Sequence, residues 1–271
     1  MTLNRRSFAL GVAALQLAGC VTPRLAAART LRVATFNIWH DANNWAARLP
    51  LLVQSLREAD AEVIALQEVL EDTAKSLPNQ AATIANLLGG YSVHFTSTSP
   101  PGSPKRYGNA ILSRLPVLAE SARSLEPLND HRTALRVRVA LGGHPIDMVC
   151  THLAWQADAA AVRARQVADL MAWLPQDGVP LIVMGDFNAP LTDPGLAALT
   201  SSEFVSALPL GATASTLNSA KGHKERVIDH IFAETRWFTP VAAKRFGDRP
   251  QNGEYPSDHF GVWAALRLMT K

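Results

Sequence analysis

Cysteine is scarce in this chain, with two among 271 residues, Cys20 and Cys150, far apart in sequence. That excludes a disulfide framework and any cysteine-based zinc site. A dominant charge is missing too. Lys and Arg number 26 against 23 Asp and Glu. Residues 1–19 hold Arg5, Arg6 and no acid, so the rest carries 24 basic against 23 acidic side chains. The pI of 9.1 therefore makes no general electrostatic case for a polyanionic partner. No segment beyond the first thirty residues is long and apolar enough to cross a membrane. Absent as well are a Gly-x-Ser-x-Gly elbow, a Walker loop and a His-Glu-x-x-His helix. What is present is an ordinary globular composition, 48% hydrophobic and 18% charged, with chain enough for one large domain.

Asn4-Arg5-Arg6-Ser7-Phe8 precedes an apolar run from Phe8 to Gly19 that ends Leu17-Ala18-Gly19-Cys20. A basic start, a short apolar stretch and small residues before a cut are the needs of an export signal. The paired arginines resemble a twin-arginine signal, although Asn4 and Ala9 depart from its usual pattern. Leu17 to Cys20 resembles a bacterial lipobox, whose cysteine is lipidated and becomes the new N-terminus. The expectation is a signal peptide at 1–19, a tether at 20–30 and the working domain at 31–271. Cys20 would then anchor the protein in the cell envelope, facing the periplasm or exterior. An ordinary cleaved signal with a coincidental cysteine is the alternative. Cys150 lies in an apolar strand pattern and reads as core.

Strand-like runs appear at 31–37, 62–67, 109–113, 132–141, 145–151, 180–184, 227–232 and 259–266. Trp45, Leu49, Leu52, Val53 and Leu56 recur at helix spacing, as do Val162, Val167, Leu170, Met171 and Leu174. The runs at 132–141 and 145–151 meet at Gly142-Gly143-His144 and predict a hairpin. Helices alternating with strands that also form hairpins argue for mixed sheets covered by helices. Residues 96–104 read as an exposed loop.

The informative residues are polar ones that end apolar strands. Asn37 closes the first run, Gln67-Glu68 the second and Thr151-His152 the fifth. Asp186 and Asn188 follow Ile182-Val183-Met184-Gly185, Asp229 sits within Val227-Ile228-Asp229-His230, and Asp258-His259 opens the last strand. Burying such groups unpaired costs several kcal/mol each. A shared site explains them better than repeated coincidence. Carboxylate and amide oxygens are hard ligands suited to Mg²⁺ or Mn²⁺. A His–Asp pair orients an imidazole and supports its positive charge. Together these fit phosphoester hydrolysis.

In this order the residues resemble the endonuclease/exonuclease/phosphatase superfamily, whose members are similar to pancreatic deoxyribonuclease. The matching motifs are Thr35-Phe36-Asn37-Ile38, Leu66-Gln67-Glu68-Val69, Gly108 through Arg114, Thr151-His152-Leu153, Gly185-Asp186-Phe187-Asn188 and Ser257-Asp258-His259. They span about Leu31 to Leu266. The resemblance implies a four-layer α/β sandwich, with two mixed β-sheets packed face to face and flanked by helices. It implies Glu68 as main metal ligand, assisted by Asn37 and Asp258. Asp186 would align or activate the attacking water, Asn188 would hold the scissile phosphate, and Asp229 would orient His259, which would contact the phosphate or act as acid/base. His152 falls at the second histidine position, near the phosphate or leaving group. Asn109 and Arg132 are the implied substrate contacts.

Each residue also has a plain structural role open to it. Asn37 could bond its own backbone, Asp229 could pair with Arg226 or Lys224, and Asn188 could make the turn before Pro190. His152 could be a satisfied core histidine. His40, His94, His131, His144, His223 and His230 read as surface or packing residues. The function expected is a monomeric, Mg²⁺- or Mn²⁺-dependent phosphodiesterase on a lipid anchor. DNA or RNA cleavage is the main alternative, with Lys105-Arg106-Tyr107 and 221–226 as small basic runs that read as solvated loops. Phospholipid head-group hydrolysis and noncatalytic binding are further alternatives.

Overall fold

Alternation along the apolar strands decides the layering. In β1 (Thr30–Asn37), Leu31 and Val33 face one way and Ala34 and Phe36 the other, and all four are fully buried. A strand buried on both faces must lie between two layers. The computed structural model, which describes residues 29–209 and 211–269, supplies both layers. The expected signal peptide, Cys20 and nearly all of the tether lie outside the described residues.

One sheet contains β1, β2 (Val63–Asp72), β3 (Ser92–Ser97), β4 (Lys105–Ser113), β11 (Phe238–Phe246) and β12 (Gly261–Leu268). Its strand order is β11-β12-β1-β2-β4-β3. The other contains β5 (Val117–Ser124), β6 (Thr133–Leu141), β7 (His144–His152), β8 (Leu181–Asp186), β9 (Phe204–Ser206) and β10 (Asp229–Glu234). Its order is β5-β6-β7-β8-β10-β9. The β1–β2 and β7–β8 pairs are parallel and their neighbours antiparallel, so both sheets are mixed.

Between the sheets, Leu31, Val33, Val63 and Ile111 pack against Leu135, Val137, Met148, Ile182 and Ile231. Helices α1 (Trp45–Ala59) and α2 (Gln80–Leu88) cover the outer face of the first sheet through Leu52, Leu56 and Ile84. Helix α3 (Ala160–Trp173) covers the second through Val167 and Leu170. This is the expected four-layer sandwich. The expected hairpin joins β6 to β7, with Gly142 at φ 55° and Gly143 at φ 90°, the conformation that a two-residue turn between twisted strands demands. Residues 96 and 97 of the expected loop belong to β3.

A buried arginine frames one end of the sandwich. Arg48 of α1 is fully buried and donates to the carbonyls of Ile38, Trp39, His40 and Ala42, which form the β1–α1 loop. It also donates to Pro256 O at 2.9 Å, just before Ser257-Asp258-His259. Trp39 and His40 carry positive φ angles of 58° and 29°, so this loop is strained and needs an outside hold. The Trp39 and Trp45 rings flank the guanidinium at 5.1 and 5.4 Å. Burial pulls Arg48 down to about 10, against the pull of Asp258 and Glu254, which leaves it charged at neutral pH. Replacing it with methionine strands five carbonyls, those of Ile38 and Pro256 buried. Arg48→Met should lower unfolding stability by roughly 3 kcal/mol in urea titration. A loss under about 1 kcal/mol would mean that water replaces the guanidinium without penalty.

Candidate active site

The strand alternation that builds the inter-sheet core also aims the polar residues at its end. Asn37 shares the face of Leu31 and Val33, His152 that of Met148 and Cys150, Asp186 that of Ile182 and Met184, and Asp229 that of Ile231. Each strand keeps its inward parity and changes from apolar to polar where the core gives way to a cleft. The pairing sets them side by side, because His152 lies opposite Asp186 across β7–β8 and Asp229 opposite Asp186 across β10–β8.

Glu68 reaches the same place by a different device. On simple alternation it would follow Ile64 and Leu66 toward the helices. The β2–β4 register instead slips between Leu66 and Val69, and Glu68 takes φ 60°. This one-residue bulge turns its carboxylate to the inter-sheet end. Gly185 serves Asp186 similarly. At φ 155° it passes so close to β7 that a Cβ would meet Thr151 O at 2.0 Å.

Asn37 Nδ2 bridges the sheets, donating to Glu68 Oε1 at 3.1 Å and Asp186 Oδ2 at 3.0 Å. Its Oδ1 accepts from Trp39 N at 3.0 Å, so the amide faces the acids as a donor. Ser257 Oγ donates to Asn37 O at 2.7 Å and lies 3.3 Å from Asp258 Oδ1. His259 Nδ1 bonds Asp229 Oδ2 at 3.0 Å, and its Nε2 faces Asp186 Oδ2 at 3.8 Å. His152 Nε2 approaches the same Asp186 oxygen at 3.4 Å. Asn188 N donates to Asp186 Oδ1 at 2.9 Å, and Asn188 Nδ2 donates to Leu153 O.

The two histidines are tuned in opposite directions. Burial works against a proton on His259, but Asp229, Asp186 and Asp258 overcome it and hold the imidazole up at about 10. Burial and the neighbouring Arg132 push His152 down to about 3, outweighing Asp186. At neutral pH the site therefore holds one imidazolium and one neutral imidazole. Glu68 is raised by burial and by Asp258, against the Asn37 bond that favours its charge.

Two groups of acids meet here, and they differ as cation sites. Ligand atoms of Asp186, Asp229 and His259 lie within 4.8 Å of one another. That group already holds a cation, the His259 imidazolium. Glu68 and Asp258 repel each other in a desolvated setting; Glu68 is bonded by Asn37, and Asp258 by Ser257 and His223. These hard, like-charged oxygens suit a divalent ion. Asn37 could add its oxygen only by turning its amide away from Trp39.

The remaining expected residues occupy distinct places. Arg132 lines the cleft, with Asp130 3.4 Å away. Asn109 is buried, its Nδ2 given to Thr133 O and Oγ1 across the sheets, and its Oδ1 has no hydrogen-bond partner. Asp229 pairs with His259 and not with Arg226 or Lys224. His230 packs between Phe187 and Phe232 and bonds Ala189 O, as expected of a packing residue.

Other residues of the cleft, about 590 Å³ in volume, depart from the sequence reading. His223, expected to be a surface or packing residue, bonds Asp258 Oδ2 at 2.9 Å with its ring 6.2 Å from that of His259. His131 also lines the cleft. Lys105 and Tyr107 belong to β4 and face the cleft, with the Tyr107 hydroxyl near the Glu68 charge. Tyr107 shares the parity of Asn109 and Ile111, a signal visible in the sequence once β4 is extended toward its start.

The sequence pattern of the Endonuclease/Exonuclease/phosphatase family matches residues 34–259. Solved structures with the same fold include the human Nocturnin catalytic domain with bound sulfate anion, at TM-score 0.70 and 21% identity over 89% of this chain and 94% of that one. D. rerio TDP2 complexed with single strand DNA product aligns at TM-score 0.72 and 19% identity, over 88% and 99% of the two chains. An endonuclease/exonuclease/phosphatase family protein from Bacteroides thetaiotaomicron aligns at TM-score 0.72 and 19% identity, over 90% and 99%. No curated protein matches the sequence.

The opposite tuning of the histidines has a direct readout. In metal-free protein, His259 should keep its proton until pH approaches 10, and any stability that proton contributes should be complete below the ordinary value of 6.5 and lost progressively as pH rises from there through about 10. His152 should stay neutral down to about pH 3. Neither imidazole resonance should move in an NMR titration from pH 5 to 8.5. An inflection near the ordinary histidine value in either would refute the assignment.

Proposed function

The chain belongs to the Endonuclease/Exonuclease/phosphatase family, and from that premise we propose that it is a metal-dependent phosphoester hydrolase acting on phosphodiesters. The observation that carries this reading is the convergence, at one end of the inter-sheet core, of two facing acids, Glu68 and Asp258, with an imidazolium and a neutral imidazole. Glu68 and Asp258 would hold the divalent ion, Mg²⁺ or Mn²⁺. When bound, it would supply positive charge to phosphoryl and leaving oxygens.

The protein's own groups divide the rest. Asp186 is fixed by Asn37 Nδ2 on one oxygen and Asn188 N on the other, which leaves it to orient the attacking water and take its proton. His259, charged and held by Asp229, donates to a phosphoryl oxygen from a water-poor site, where that interaction is strongest. His152 supplies a neutral contact to the phosphate or leaving group. The Arg132 guanidinium completes the cradle around the ester, while Asn188, whose Nδ2 is given to Leu153 O, steadies Asp186 through its backbone N–H.

Turnover of bis(p-nitrophenyl) phosphate should require Mg²⁺ or Mn²⁺ and stop with EDTA. His259→Ala should lower kcat on the order of 10²-fold. Glu68→Gln should raise the metal concentration needed for half-maximal rate. A folded wild-type protein without metal-dependent turnover would overturn the reading in favour of a binding role.

The envelope location belongs to the same proposal and rests on Arg5-Arg6, the apolar run and Leu17-Ala18-Gly19-Cys20. Cys20→Ser should move the protein from the membrane fraction to the soluble fraction, because the lipid is attached through sulfur. A variant that still sediments with membranes would disprove the Cys20 anchor.

A further inference from the structure

One feature of the cleft has no part in the chemistry above. Trp155 is 65% exposed, more than any other large apolar side chain among the described residues, and it lines the cleft three positions after His152. Its backbone is not loose. Ala154 N donates to Gln166 Oε1 at 2.9 Å, and Arg163 Nη1 donates to both Ala154 O and Gln156 O, at 3.1 and 3.0 Å. The 3.1 Å bond and the burial of Arg163 and Gln166 put both clamps inside the protein. Arg163 is itself fixed by Asp193 Oδ2 at 2.7 Å. Two buried side chains of α3 thus pin the peptides on either side of Trp155, while its indole stays in water.

An exposed indole on a fixed backbone is a preformed flat surface, with little ordering left to lose on binding. Its surroundings in the cleft decide what it suits. Lys105, Arg132, His131, Thr98 and Ser99 are polar or cationic, whereas a side chain meant for lipid would be flanked by other apolar groups. Cationic and hydroxyl groups fit phosphate and sugar, and a flat aromatic face fits a base.

We infer that Trp155 is a specificity-determining residue that stacks on a nucleobase carried by the phosphodiester substrate. This rests on the phosphodiesterase reading and narrows it to nucleotide esters. The base lies at the cleft rim while its phosphate lies against His152, Asp186 and His259. Stacking tolerates any base, so discrimination is between substrates with and without one.

The test compares thymidine 5′-(p-nitrophenyl phosphate) with methyl p-nitrophenyl phosphate on the full chain, since the two share a leaving group. Wild type should favour the thymidine ester at least tenfold in kcat/KM, mainly through KM. In Trp155→Ala that ratio should fall toward one, and Trp155→Phe should restore most of it. A ratio unchanged in Trp155→Ala, or absent in wild type, overturns the inference and leaves the phosphodiesterase reading standing. If wild type hydrolyses neither ester, both fall together. Inhibition by thymidine monophosphate would point to free nucleotides as the source of the base, and inhibition by oligothymidylate alone to a strand. If Trp155→Ala loses binding to phosphatidylglycerol vesicles and keeps its base preference, the indole serves a membrane and the inference is wrong.

Discussion

The site depends on keeping four carboxylates, those of Glu68, Asp186, Asp229 and Asp258, largely out of water at one end of a sandwich. Removing an ion from water is costly, and like charges brought together add to that cost. Two of the acids are answered within the chain. Asp229 has His259, and Asp186 has Asn37, the Asn188 backbone and two imidazoles at its edge. At the Glu68 end, facing Asp258, the direct partners are Asn37, Ser257 and His223, and the paired hard, like-charged oxygens suit a divalent cation. The two histidines show that environment rather than residue type assigns the roles. One is surrounded by acids and keeps its proton, while the other is buried beside Arg132 and gives its proton up.

Holding that arrangement falls to the backbone. The two parallel strand pairs both end at the site, so their carboxyl ends deliver Asn37 and Glu68 from one sheet and His152 and Asp186 from the other. Arg48 joins the loop after β1 to the segment before Asp258 through main-chain carbonyls alone. Its hold therefore does not depend on the side chains of the loop it restrains. Ser257 repeats the connection at shorter range, from Asn37 O to the His259 amide.

Much of this was legible in the sequence, because strand alternation runs straight from core to site. A residue in step with Ile182 and Met184 had to point where they point, and Asp186 does. The same logic fails for Glu68, whose orientation comes from a bulge and a positive φ that no apolar periodicity marks. It fails for His223 and Trp155, which lie outside the strands and reach the cleft through tertiary packing. Strands β5 and β11 escaped the pattern for another reason. They sit at sheet edges with largely exposed faces, and β11 carries Pro240, so they lack the apolar alternation that reveals a half-buried strand. Helix α2 has only nine residues, too few for its period to stand out from the strands around it.

The bridge from Asn37 to Glu68 and Asp186 crosses from one sheet to the other, and so does the Asn109–Thr133 contact. The distance between the reacting groups is thus set by how thick the apolar filling between the sheets happens to be. That filling acts as a shim. A methylene added or removed among Val33, Val137 or Ile182 changes the gap that the phosphate must fit, although none of these side chains touches it. Close-packed interiors yield little to such changes. The packing of this interior therefore also sets the dimensions of the cleft.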